Sequence, residues 1–230
     1  MNELRVYVGH EAREQRSFNI AMATASAQGF VPEPLYEDRL RASGLLTRPT
    51  DRRGQMWDLT SNAPQATAFA VARFFTPLLA HTGWALCVDC DMVFLRHARE
   101  LRQLADPRYA VMVVKHNVGT VSGTKMDGQA QTSYPRKLWS AVTLWNVDHP
   151  ANRRLNLTTL NSWPGRDLHA FGWLAADEIG ELPMEWNWLV GMQDKPSAPA
   201  IAHFTLGTPE LLPNCEHAEI WEQAAKEFNL

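Results

Sequence analysis

The chain has 230 residues, long enough for one large α/β domain and short for two. A hydrophobic share of 45% and a charged share of 20% are those of a globular protein, and the net charge of −3 argues against a nucleic-acid or anionic-membrane surface. No apolar run approaches the ~18 residues that span a bilayer, and no basic stretch followed by an apolar one opens the chain; the expectation is a cytoplasmic protein.

Taken in chain order, residues 4–9 (Leu-Arg-Val-Tyr-Val-Gly) predict a buried strand ended by glycine. Residues 10–28 begin charged and then carry Ile20, Ala21, Met22, Ala23 and Ala25, a helix stopped by Gly29. Residues 30–35 read as a second strand, weakened by Pro32 and Pro34. Residues 36–62 are rich in Arg, Asp, Gly, Pro and Ser and read as a long loop of the kind that carries function. A helix follows over 65–79, with Phe69, Ala72 and Phe75 on related faces, and then an apolar strand from Trp84. A short helix over 99–104 and a strand over 109–115 precede a second long polar segment, 117–137. Beyond it come a strand at 140–146, helices near 153–161 and 167–176, a strand at 200–204 and a terminal helix over 216–228. Ile220, Trp221, Ala224 and Phe228 form the apolar face of that last helix.

Alternation of strands and helices through the first half predicts a single α/β domain over residues 1–230, with a mostly parallel sheet flanked by helices. Ligands of such sheets bind beyond the carboxyl ends of the strands, where Gly9-His10 and Asp89 to Asp91 fall. In extended chain, residues two apart point to one side, so Asp89 and Asp91 aim at one spot. Two carboxylates in an apolar segment need a cation or hydrogen bonds, and a hard divalent ion with oxygen ligands fits. The plain alternative is a solvated turn, which the continuing run Met92-Val93-Phe94-Leu95 disfavours. Cys87 and Cys90, three apart on a strand, diverge and read as buried structural residues. Six of the nine tryptophans lie between 139 and 188, which reads as core packing with a slight lean toward a sugar or nucleobase pocket.

The whole pattern resembles the GT-A fold glycosyltransferases, and among them the retaining enzymes of glycosyltransferase family 8, which include bacterial lipopolysaccharide galactosyltransferases and glycogenin. Residues 5–9 resemble the strand whose end binds uracil and ribose, which implies nucleotide-binding roles for Tyr7, Gly9 and His10. Residues 68–74 resemble the helix whose arginine, here Arg73, reaches the sugar nucleotide. Residues 84–91 match the metal strand, 139–146 resemble the strand ending in Leu-x-Asn, and 185–188 resemble an apolar-Asn stretch. Residues 201–207 are similar to the late His-(Phe/Tyr)-x-Gly segment, so the resemblance makes His203 the third metal ligand beside Asp89 and Asp91 and puts Gly207 in the loop at the diphosphate. Lys125, Arg136 and Lys137 are further cations for the donor, and Asp167 and His169 are candidates for contacting the acceptor hydroxyl.

The chain departs from the family where the sugar would be read. Trp139-Ser140-Ala141 stands for Asn-Ala-Gly, Asp167-Leu168-His169 for Asp-Gln-Asp, and Lys115-His116 for an acidic residue. The resemblance implies a transferase that uses Mn²⁺ or Mg²⁺ and a nucleotide sugar, with UDP as the expected nucleotide, retention of configuration, and a carbohydrate, glycolipid or other hydroxyl acceptor. Two other readings remain. One is a sugar nucleotidyltransferase, against which Gly9-His10-Glu11-Ala12-Arg13-Glu14 offers a single glycine; the other is a non-catalytic carbohydrate- or nucleotide-binding module.

Overall fold

The computed structural model describes residues 3–117 and 136–230, together with the backbone of 123–124 and 130–131. Strand β1 (Leu4–Gly9) is almost wholly buried, as a near-continuous apolar run flanked on both faces must be. Helix α1 (Gln15–Ala27) turns Phe18, Ala21 and Ala25 inward at helical spacing, and the chain then reverses at Gly29 with φ +75°. Strand β2 (Phe30–Leu35) pairs with β1 alone and so forms the sheet edge. Pro32 and Pro34 are tolerated there because residues two apart aim their missing N–H groups at the same, unpaired edge.

The stretch 36–62, expected as one long loop, instead carries helix α2 (Glu37–Ala42) and strands β3 (Thr50–Arg52) and β4 (Met56–Asp58). With β5 (Ala63–Pro64) these strands form a small antiparallel sheet in the order β3-β4-β5. Arg48 anchors it: only 2% exposed, it pairs with Asp58 and donates to the carbonyls of Leu160 and Trp163. The expected helix over 65–79 is also revised, to turns, a 3-10 stretch (Ala72–Phe75) and α3 (Thr76–Ala80). Pro77 has no N–H for the Arg73 carbonyl, which accepts instead from Thr76 Oγ1 at 2.8 Å.

Next come β6 (Trp84–Val88), β7 (Met92–Phe94), α4 (Ala98–Gln103), β8 (Val111–Val113), and the short pair β9 (Gly123–Thr124) and β10 (Ala130–Gln131). Then follow β11 (Val142–Asn146), α5 (Leu157–Ser162), α6 (Gly165–His169) and β12 (Ile179–Glu181). Strands β13 (Trp188–Leu189) and β14 (Ile201–His203) and helix α7 (Ala218–Glu227) end the chain. The main sheet runs β12-β8-β11-β6-β1-β2, parallel except for β11, which opposes both neighbours. A second sheet runs β13-β14-β7, and α7 packs Trp221 and Ala224 over it beside Trp188 and Phe204. The tryptophans serve mainly as core: Trp145, Trp173, Trp186 and Trp188 are buried, and the first two stack 6.1 Å apart. No helix among the described residues is long and apolar enough to cross a membrane.

Candidate active site

Asp89, Cys90 and Asp91 are the whole connection between β6 in one sheet and β7 in the other. Cys90 is buried and fixes the alternation, so the flanking carboxylates turn together toward the partly open side. Burial pushes the Cys87 thiol up to about 11 and the Cys90 thiol above its ordinary range, which leaves both as inert core thiols. The sequence expectation of convergence holds, although the two aspartates occupy a bend and not regular strand.

Strand β14 lies antiparallel to β7 with His203 opposite Met92, and the Phe204 N–H donates to the Asp91 carbonyl at 2.9 Å. That register carries the imidazole to the carboxylates across more than a hundred residues of sequence. His203 Nε2 lies 3.3 Å from Asp91 Oδ1, while Nδ1 meets Asn187 Oδ1 at 2.8 Å. An amide oxygen only accepts, so Nδ1 is the donor there, and Nε2 is the ring atom turned to the carboxylates and free to ligate an ion. One ligand atom from each of Asp89, Asp91 and His203 lies within 4.8 Å of the others. Two carboxylate oxygens and one imidazole nitrogen suit Mn²⁺ or Mg²⁺, so the residues fit the ion that the resemblance implies.

Arg73 approaches from the other side. It is buried, and its Nη1 donates to Asp89 Oδ1 at 2.6 Å and to the Ser140 carbonyl at 2.8 Å. The sequence offers this arginine no acidic neighbour; its partner comes from β6 through the fold. The Ser140 hydroxyl shares a 2.7 Å hydrogen bond with His169 Nδ1. Burial, reinforced by the charges of Arg73 and Lys137, holds His169 well below the usual histidine range, so its ring is neutral at pH 7.

These groups open onto a cavity of about 360 Å³, lined among others by Arg73, Asp89, Lys137, Ser140, His169 and Thr205. Its opposite wall comes from Asp58 and residues 61–67, and so from the end of the small sheet and the stretch after it, where the sequence predicts the close of a loop and the start of a helix. The wall is rigidly backed: Asp58 is held by Arg48 and by the Ser61 hydroxyl, and Ser61 Oγ accepts from the Gly165 N–H at 2.7 Å.

The other expected site residues fall differently. Tyr7 lies within the sheet at 6% exposure, where burial raises its phenol pKa, and it does not line the cavity. Gly9 serves packing: a Cβ there would stand 2.3 Å from the Phe69 ring. His10 bonds Gln15 at 2.9 Å and packs against Phe18 and Tyr36 near the end of β1. Gly207, at φ +141°, follows the cavity-lining Thr205 by two residues. Asp167 points away, its side chain 44% exposed and paired with Arg166, while His169 two residues on reaches the cavity. Lys125 lies outside the described residues. Sequence reasoning gave no role to Ser140 or Asn187, although the Trp-Ser-Ala departure marked the first and the apolar-Asn stretch contained the second.

Comparison with known proteins places this geometry. Protein CDI of Arabidopsis thaliana is 36% identical over 236 aligned positions, spanning 98% of this chain and 87% of its own. The chain belongs to the Protein CDI family. No protein-family model matches it. Among solved structures, the glycosyltransferase GlyE of Streptococcus pneumoniae aligns with a TM-score of 0.60 at 12% identity, over 98% of this chain. The chain spans 60% of the length of GlyE. The galactosyltransferase LgtC, solved with donor and acceptor sugar analogues, aligns with a TM-score of 0.57 at 11% identity, over 97% of this chain and 96% of that one. The fold is GT-A, as the sequence resemblance implied.

Proposed function

We propose that the protein transfers a sugar from a nucleoside diphosphate sugar, with UDP as the nucleotide, to a hydroxyl acceptor, with retention and with a divalent ion held by Asp89, Asp91 and His203. One observation carries the reading: the three ligand atoms converge within 4.8 Å, and Asp89 belongs both to that cluster and to the wall of the 360 Å³ cavity. A bound ion would supply charge stabilisation to the leaving diphosphate. The residues do the rest. Arg73 holds Asp89 in place and adds positive charge at the cavity. Neutral His169, steadied by Ser140, offers a hydrogen-bonding ring nitrogen to a sugar or acceptor hydroxyl.

The test is calorimetry of UDP, GDP and CDP with and without Mn²⁺, on the wild type and on Asp91→Ala and His203→Ala. The expected result is Mn²⁺-dependent binding of UDP that both substitutions abolish or weaken more than tenfold. Unchanged Mn²⁺-dependent affinity in either variant overturns the ion assignment. Consumption of a nucleoside triphosphate and a sugar 1-phosphate with release of pyrophosphate would make the protein a nucleotidyltransferase.

A further inference from the structure

Arg136 and Leu138 both sit in the left-handed region, at φ +61° and +66°, although neither is glycine. Such strain persists only where surrounding contacts enforce it. Here they do: the Asp89 N–H donates to the Ala141 carbonyl at 3.2 Å, Arg73 holds the Ser140 carbonyl, and Trp139 Nε1 donates to the His116 carbonyl at 2.9 Å. One further contact comes from Asn187, which is fully buried. Its Nδ2 donates to the Leu138 carbonyl at 3.4 Å while its Oδ1 accepts from His203 Nδ1 at 2.8 Å. Lys137, Leu138, Ser140 and Ala141 of this turn all line the cavity.

We propose that Asn187 is a positioning residue that ties His203 to the strained turn over residues 136–141, so that ion binding and the placement of Ser140 and Lys137 are set together. The inference rests on the ion site proposed above. An amide is the side chain that can serve both partners at once, since it accepts from the imidazole with one end and donates to a carbonyl with the other. The turn is thus fastened to the ion site from two directions, through Asn187 to His203 and through Arg73 and the backbone to Asp89. Fixing the imidazole on an ion removes its freedom to swing, and that constraint passes through the amide to the Leu138 carbonyl.

Two substitutions separate the two ends of the amide. Asn187→Asp keeps an acceptor for His203 Nδ1 and loses the donor to Leu138; Asn187→Ala loses both. The measurements are Mn²⁺ affinity by calorimetry and amide hydrogen exchange over residues 136–141, with thermal melts confirming that each variant is folded. In the wild type, Mn²⁺ should slow exchange in the turn. In Asn187→Asp, Mn²⁺ should bind within about threefold of wild type while the slowing disappears. In Asn187→Ala, affinity should fall about tenfold or more, the usual effect of losing the group that orients a ligating histidine. Slowing in Asn187→Asp equal to wild type, or Mn²⁺ binding to the wild type without any slowing, overturns this inference alone. A wild type that binds no Mn²⁺ overturns the ion assignment first and this inference with it.

Discussion

At the scale of single residues, two positions carry expectations that differ from their roles in the sequence reading. Gly9 stands where the resemblance implies nucleotide contact, yet its lack of a side chain is spent on the Phe69 ring. Gly9→Ala should lower stability by about 1–3 kcal/mol through overpacking, and Phe69→Leu in the same chain should recover part of that, both read from urea unfolding midpoints. His116 is buried, and burial above all pushes it down to about 4. An unfolded histidine takes up a proton near pH 6.5 that the folded one refuses, so stability is highest above that pH and falls as pH drops toward 4. The loss should reach about 3 kcal/mol, measured on ion-free protein, and His116→Gln should lose correspondingly less over the same window.

Among the elements, the small sheet β3-β4-β5 shows what composition conceals. Arg and Asp in residues 36–62 argued for solvated loop, but Arg48 and Asp58 are buried against each other and against carbonyls more than a hundred residues away. No local pattern announces a pairing whose partners meet only in the fold. Arg48→Met should cost about 3–5 kcal/mol because Asp58 is left buried without its cation, and Asp58→Leu added to it should restore part of the loss in the same unfolding assay. The convergence of Asp89, Asp91 and His203 was legible for the opposite reason. Asp89 and Asp91 are neighbours whose chemistry limits what can stand beside them, and His203 follows in a recognisable strand. Five of the six strands of the main sheet were legible as apolar runs, and the short β12 was not. The helix over 65–79 survives only as α3, which Pro77 opens, and the spacing of Phe69, Ala72 and Phe75 misled because turns and a 3-10 stretch bury those side chains as well.

For the molecule as a whole, the Asp89, Asp91 and His203 cluster joins the two sheets, so a ligand bound there acts on global stability. UDP with Mn²⁺ at a hundred times its dissociation constant should add about 2.7 kcal/mol, which for a chain of this size corresponds to a rise in melting temperature of roughly 5–10 °C. Chelation by EDTA should erase the rise. A shift of the same size without Mn²⁺ would mean that the nucleotide is held by side chains alone and that the carboxylate pair serves another purpose.

The three-residue link between β6 and β7 also governs which length changes the chain can survive. Side-chain alternation there has a period of two, so one inserted residue between Val88 and Met92 would turn the Cys90 thiol outward and drive a carboxylate inward. One escape is to slide β7 out of step with β14, which would carry His203 away from Asp91. Substitutions at Asp89 or Asp91 therefore bear on the proposed ion site, but insertions beside them threaten the fold itself. A change of length at this junction therefore cannot leave the cluster intact.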